Sequence, residues 1–278
     1  MPYFKKVTKA GPYLKVETYY AMRDGRRLTR GKNRGVTPED QQKRNDMRSA
    51  EYLRQILYGS FTPRVDYLAT YTHGAAITEE QAKKEGSELT KRLAKEFKRK
   101  GLPAPRWVRV TEKQGQWHHH LIISAGLTLE EMQAVWGERG RFQLSTLDDG
   151  EQYYNLVTYL LAEEKEGADG RNIKPERVKN GRRWNGSRNL VRPEVTKKPV
   201  KRPPRKGEPK PPKGYRLLNT WYEGCDGFGN SYQRYECLKG AFSPFTKTKG
   251  AKEMEGAKPP DVWIPKGGIG GLDWGRRR

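Results

Sequence analysis

Trp117-His118-His119-His120-Leu121-Ile122-Ile123-Ser124 is the stretch around which the chain organises itself. Side chains on a strand alternate faces, so His118 and His120 point one way and His119 the other. Two imidazoles on one face are half of a divalent-metal site, and Leu121, Ile122 and Ile123 tie the same strand into a core. Arg106 to Glu112 reads as a second strand. The short connection Lys113-Gln114-Gly115-Gln116 joins the two as a hairpin. Glu112 is the carboxylate placed to complete the ligand set, and the register decides whether it does. A three-residue loop sets Glu112 on the face of His118 and His120, whereas an even loop sets it with Trp117 and His119. Apolar alternation favours the even case, because it aligns Val108 and Val110 with Leu121 and Ile123.

Working outward, Thr37-Pro38-Glu39-Asp40 reads as a helix start with proline at the first position, and the helix runs to about Tyr58. Val65 to Thr72 reads as a strand by β-propensity. Thr78 and Gln81 form a capping-box pattern opening a helix with Leu89, Leu93 and Phe97 at helical spacing, closed by Gly101. After the hairpin, Thr128 caps a helix containing Met132 and Trp136. A strand from Phe142 to Thr146 and a helix from about Asp149 to Lys165 follow. The middle of the chain is therefore β-α-β-β-α-β. The expectation is an α+β fold with a ferredoxin-like antiparallel sheet, helices on one face and the other face free for a site. His73, the fourth histidine, ends the first strand, where a surface position is favoured over a share in the site.

The net charge is +23, but residues 51–165 are neutral and the excess base lies on either side. That pattern predicts a neutral folded core with basic, largely irregular flanks that bind a polyanion, most simply nucleic acid. Residues 1–36 form a basic N-terminal segment with no regular structure assigned. Residues 196–214 form a Pro- and Lys-rich linker, expected to be extended. Residues 215–278 form a small β-rich module with a Gly-rich tail expected to be disordered. Cys225 and Cys237 form no C-x-x-C pair, so neither a disulfide framework nor a zinc ribbon is indicated. No apolar run nears the ~18 residues of a membrane span, and a cytoplasmic protein is expected.

Two further groups carry chemistry. On the helix after Asp149, Tyr153, Leu156, Val157, Leu160 and Leu161 form one apolar stripe, which makes Tyr153 a core residue. Tyr159 projects off the stripe towards Asn155 and Thr158, and Tyr154 lies on the opposite flank. Farther on, Arg182, Arg183, Arg188 and Arg192 interleave with Trp184 and Asn189, a composition suited to backbone contacts plus base stacking on single-stranded DNA.

The hairpin with its H-x-H, the strand ending Tyr71-Thr72 and a tyrosine on a later helix together resemble HUH endonucleases. The nearest likeness is to rolling-circle replication initiators of bacterial phages, plasmids and integrative elements. Segments Asn45–Phe61, Arg64–His73 and Arg182–Pro193 share the likeness, which spans about residues 37–195. The resemblance implies an enzyme that nicks and rejoins single-stranded DNA at an origin. His118, His120 and Glu112 would hold Mg²⁺ or Mn²⁺, and Tyr159, or alternatively Tyr154, would form a 5′-phosphotyrosine link. A relaxase or a single-tyrosine transposase shares that chemistry; a non-catalytic nucleic-acid-binding protein is the rival of another class. The family's tyrosine is often followed three or four residues later by Lys, but Ala162 and Glu163 stand there. No G-x-x-x-x-G-K-[ST] occurs, so strand separation would need a host enzyme; the implied partners are single-stranded or supercoiled origin DNA, a host helicase and a host DNA polymerase, in a bacterial cytoplasm.

Overall fold

The computed structural model describes residues 3–21, 39–147, 153–161, 165–166, 172–173, 176–177, 182–225 and 229–240. They fall into two compact units, 42–192 and 1–41 with 193–278. The elements in chain order are β1 (Tyr3–Ala10), β2 (Tyr13–Tyr20), α1 (Glu39–Ser60), β3 (Tyr67–His73), α2 (Glu79–Arg99), β4 (Trp107–Gln114), β5 (Gln116–Ile123), α3 (Leu129–Trp136), β6 (Gly140–Thr146) and α4 (Tyr154–Leu161). Three short strands follow, β7 (Lys165–Glu166), β8 (Asn172–Ile173) and β9 (Glu176–Arg177). The series ends with β10 (Asn185–Gly186), β11 (Glu194–Val200), β12 (Tyr215–Cys225) and β13 (Ser231–Lys239).

The unit spanning 42–192 is α+β. Its antiparallel sheet has the order β10-β4-β5-β3-β6, with β9 also pairing β4. The β-α-β-β-α-β series of the sequence is present, and β5 inserts between β3 and β4, so both strands flanking the histidine run are long neighbours. Local chemistry accounts for the helix starts. Thr78 and Gln81 close a full capping box on α2, and Thr128 and Glu131 close another on α3. One face of the sheet is sealed by α2 and α3 through Ala69, Tyr71, Leu121 and Ile123 against Leu89, Leu93, Phe97, Met132 and Trp136. Each buried leucine-sized side chain there is worth about 1.5–3 kcal/mol relative to exposure.

Helices are not confined to that face. Val157 and Leu160 bury the apolar side of α4, Tyr58 of α1 packs on Tyr153 with ring centroids 5.0 Å apart, and α4 sets Tyr159 against His120 on the other side of the sheet. On the apolar stripe, Tyr153 finds its partners in the ring of Tyr58 and the carbonyl of Phe61. The helix expected to reach Lys165 ends earlier, since Lys165 pairs with Ile173 in a two-stranded ribbon. The proposed starts at Thr37 and Asp149 and the Gly-rich tail lie outside the described residues.

The other unit overturns the reading of irregular flanks. It is a five-stranded sheet of order β11-β1-β2-β13-β12, with pairings such as Val7 to Val16 and Val16 to Tyr235. Leu14, Val16, Tyr235 and Cys237 form its buried core. The segments read as a separate N-terminal arm, a linker from 196 and a C-terminal module thus share one sheet. Residues 194–200, which run into the Pro- and Lys-rich stretch, form one of its two edge strands. Pro199 opposes Phe4 there, and an edge is where a strand tolerates a residue without an N–H.

Candidate active site

The hairpin register places the carboxylate. β4 and β5 pair with Glu112 opposite His118, Val110 opposite His120 and Val108 opposite Ile122, and Gln114 opposite Gln116 leaves Gly115 alone at the tip. Gly115 takes φ 76, a left-handed conformation that glycine adopts at least cost. The connection is therefore odd in length. The even register favoured by apolar alternation is not the one formed. Val108 and Val110 share the face of Ile122, and both are buried, so that face is apolar too and alternation could not discriminate.

Glu112, His118 and His120 come together as a buried group. Their exposures are 0 %, 8 % and 4 %, and their ligand atoms all lie within 4.8 Å of one another. Glu112 Oε1 stands 3.2 Å from Nε2 of both histidines. Outer partners orient the rings: His118 Nδ1 lies 3.1 Å from the Gln116 carbonyl and His120 Nδ1 lies 3.1 Å from Thr70 Oγ1. A carbonyl can only accept, so His118 carries its proton on Nδ1. In the neutral ring Nε2 is then a bare lone pair facing a carboxylate oxygen. A cation between them turns that repulsion into ligation, and an N–H given to a backbone carbonyl is the usual outer support of a metal-binding histidine. Cis ligands at roughly 2.1 Å from an octahedral ion lie about 3.0 Å apart. The donor set and its spacing therefore fit a divalent metal ion.

His119 serves the opposite face. It is fully buried, with Nδ1 2.9 Å from Thr111 Oγ1 and Nε2 3.2 Å from His73 Nε2. His73 is thus neither at the surface nor beside the Glu112–His118–His120 group; it is buried against Trp136, ring centroids 4.8 Å apart. Gly86 lets α2 lie this close, since a Cβ there would sit 2.9 Å from His119 Cε1 and 3.0 Å from Arg109 Cζ. Burial, the neighbouring Arg109 charge and the other histidines hold the His119 pKa well below the ordinary histidine value. Burial likewise lowers Arg109 to about 10. Strand alternation places His119 on this face, but His73, favoured as a surface residue at the end of its strand, is its buried partner. Replacing His119 with Ala is expected to destabilise the protein by about 3 kcal/mol, through a cavity and stranded Thr111 and His73 partners. Urea unfolding measures that loss, and Mn²⁺ affinity of the folded variant should stay within about threefold of wild type. A loss of Mn²⁺ affinity as large as in His118→Ala would refute the division of labour along the strand.

The two tyrosine candidates separate. Tyr159 is 52 % exposed, and its ring stands 5.5 Å from that of His120 at an interplanar angle of 67°. Burial, followed by the charge of Glu112, raises its pKa above the ordinary phenol value. Tyr154, five residues earlier, is turned about 140° away on the helix and sits beside the Arg54 guanidinium, 5.8 Å from ring centre. Tyr153 is buried, its hydroxyl donating to the Phe61 carbonyl at 3.3 Å.

The basic stretch divides as well. Arg183 makes a two-pronged ion pair with Asp46, Asn189 Nδ2 donates to the Ala104 carbonyl at 2.9 Å, and Trp184 Nε1 donates to Ser49 Oγ at 3.2 Å. These three anchor the segment to α1 and to the loop before β4. Arg182, Arg188 and Arg192 are exposed and form no ion pair among the described residues. Among those residues no helix is long and apolar enough to cross a membrane. No protein-family model matches the chain, and no curated protein or solved structure matches it.

Proposed function

We propose that this chain is a metal-dependent DNA endonuclease and strand transferase of the HUH type, acting as an initiator of rolling-circle replication. The observation that carries the reading is an accessible tyrosine, Tyr159, held against His120 of a buried Glu112–His118–His120 triad. An internal phosphodiester of the strand laid over the triad would meet the Tyr159 hydroxyl from solvent. Tyr159 Oη attacks the scissile phosphorus and gives up its proton to solvent water, which its exposed ring admits. The bond to the 3′ oxygen breaks, and that oxygen takes up a proton to become a free 3′-OH. The 5′ side stays on the enzyme as a phosphotyrosine, which conserves the phosphodiester bond energy for rejoining. A divalent ion, Mg²⁺ or Mn²⁺, held by the triad would supply polarisation of the phosphate and stabilisation of developing negative charge. The Gln116 carbonyl and Thr70 hold the two imidazoles in place for this, and burial keeps Glu112 from competing water.

The excess base of the chain supports a polyanionic substrate, with its affinity expected to fall steeply as salt rises. The test is to incubate the protein with supercoiled DNA carrying the flanking region of its own gene, with Mn²⁺ or with EDTA. Relaxed product and a covalent protein–DNA adduct in Mn²⁺ alone are expected. Neither product under any metal condition would rule out the enzyme and favour a protein that only binds nucleic acid.

A further inference from the structure

Apart from the triad, the 42–192 unit holds a cavity of about 380 Å³ between α1 and the 182–192 segment. None of Glu112, His118 and His120 lines it. Two aromatic rings do: Tyr52 of α1 and Trp184, with centroids 6.1 Å apart and planes inclined by 33°. Arg182, Arg183, Arg188 and Arg192 line it too, alongside small and aliphatic residues such as Ser49, Ile56 and Leu190. The ion pair to Asp46 neutralises Arg183, and the bond to Ser49 fixes the Trp184 indole. Three cations therefore face the opening with no carboxylate partner among the described residues, beside an aromatic surface locked in place. The size falls within the ~300–1,000 Å³ typical of small-ligand sites.

Aromatic faces beside unpaired guanidinium groups are the two halves of nucleotide recognition, stacking for the base and charge for the phosphates. We propose that this cavity receives one unstacked base of single-stranded DNA, its ring against Trp184 and Tyr52 and its flanking phosphates on Arg182, Arg188 and Arg192. The choice of DNA as the polyanion rests on the function proposed above; the pocket does not depend on the nicking chemistry. Asn185 pairs with Arg109 on β4, three residues from Glu112, a separation of about 10 Å along the strand. A base seated there would thus help fix which phosphate reaches the triad. Duplex DNA cannot fill the cavity without breaking a base out of its stack, so the pocket should discriminate in favour of single strands.

The experiment measures fluorescence anisotropy of a labelled twelve-nucleotide single strand and of its duplex, on the full chain in EDTA, where no cleavage occurs. Trp184→Ala should weaken single-strand binding at least tenfold and leave duplex binding within twofold. Trp184→Phe should restore most of the single-strand affinity, which separates stacking from misfolding. Arg188→Gln should weaken both ligands and flatten the salt dependence. Equal losses on single strand and duplex for Trp184→Ala would overturn the proposal in favour of a phosphate-only surface, as would no loss at all. Displacement of the strand by an equimolar mononucleotide would overturn it in favour of a free-nucleotide site. Failure of the adduct assay would leave these measurements untouched, so the two proposals fall separately.

Discussion

Exchanging Glu112 for Gln is expected to abolish Mn²⁺ binding and to reduce nicking at least ~10³-fold while leaving the metal-free fold intact. The carboxylate is fully buried between two imidazole nitrogens at 3.2 Å. As a ligand it contributes the only negative charge of the triad, and an amide oxygen contributes none. Without metal the balance reverses. His118 holds its proton on Nδ1 against the Gln116 carbonyl, so a Gln side chain can donate its amide N–H to the bare Nε2 where Glu cannot. Removing a buried charge of this kind is often neutral or stabilising once the neighbours remain hydrogen-bonded. The urea midpoint of metal-free Glu112→Gln should therefore equal or exceed that of wild type. Wild-type protein in Mn²⁺ at a hundred times its dissociation constant should gain about 2.7 kcal/mol, a rise in melting temperature of about 5–10 °C. The variant should gain nothing. A variant that unfolds in EDTA, or that keeps the Mn²⁺ shift, would show that Glu112 is structural rather than a ligand.

How much of this was legible in the sequence depended on the range of the interaction. The capping boxes at Thr78 and Thr128, the strand alternation of His118 and His120 and the apolar stripe of α4 are local, and each stands where its spacing placed it. The register of β4 on β5 was the limit. Val108, Val110 and Ile122 are buried on the face of Glu112, His118 and His120, and Leu121 and Ile123 are buried on the other. With both faces apolar, alternation carries no register signal, and Gly115 at the tip settled it instead. The sheet of β11-β1-β2-β13-β12 lay beyond local reasoning altogether. Lys6 pairs with Lys197 across some 190 positions, and neither the basic segment 1–36 nor the Pro- and Lys-rich run from 196 carries a local signal of its distant partner strand. His73 was misjudged for a similar reason: its environment comes from Trp136 and His119, which no spacing near residue 73 announces.

Tyr159→Phe is expected to eliminate the covalent adduct, with strand cleavage falling by at least ~10⁴-fold, because the attacking oxygen itself is gone. The aromatic ring is kept, so its packing 5.5 Å from His120 survives, and Mn²⁺ should stabilise the variant as it does wild type. That separates a missing nucleophile from a damaged metal site. Tyr154→Phe supplies the counterpart. Its ring stands by Arg54 on another flank of α4, so adduct yield should stay within about twofold, and tryptic mapping of the wild-type adduct should find the nucleotide on Tyr159. The sequence has Ala162 and Glu163 three and four residues after Tyr159, where the family it resembles often has Lys. Charge building on the phosphate then has no Lys from those positions, and cleavage should depend on added metal more completely than a Lys-assisted site would. Adduct formation by Tyr159→Phe with its loss in Tyr154→Phe would transfer the nucleophile to Tyr154. It would also mean that Tyr154 leaves its place beside Arg54 for the reaction.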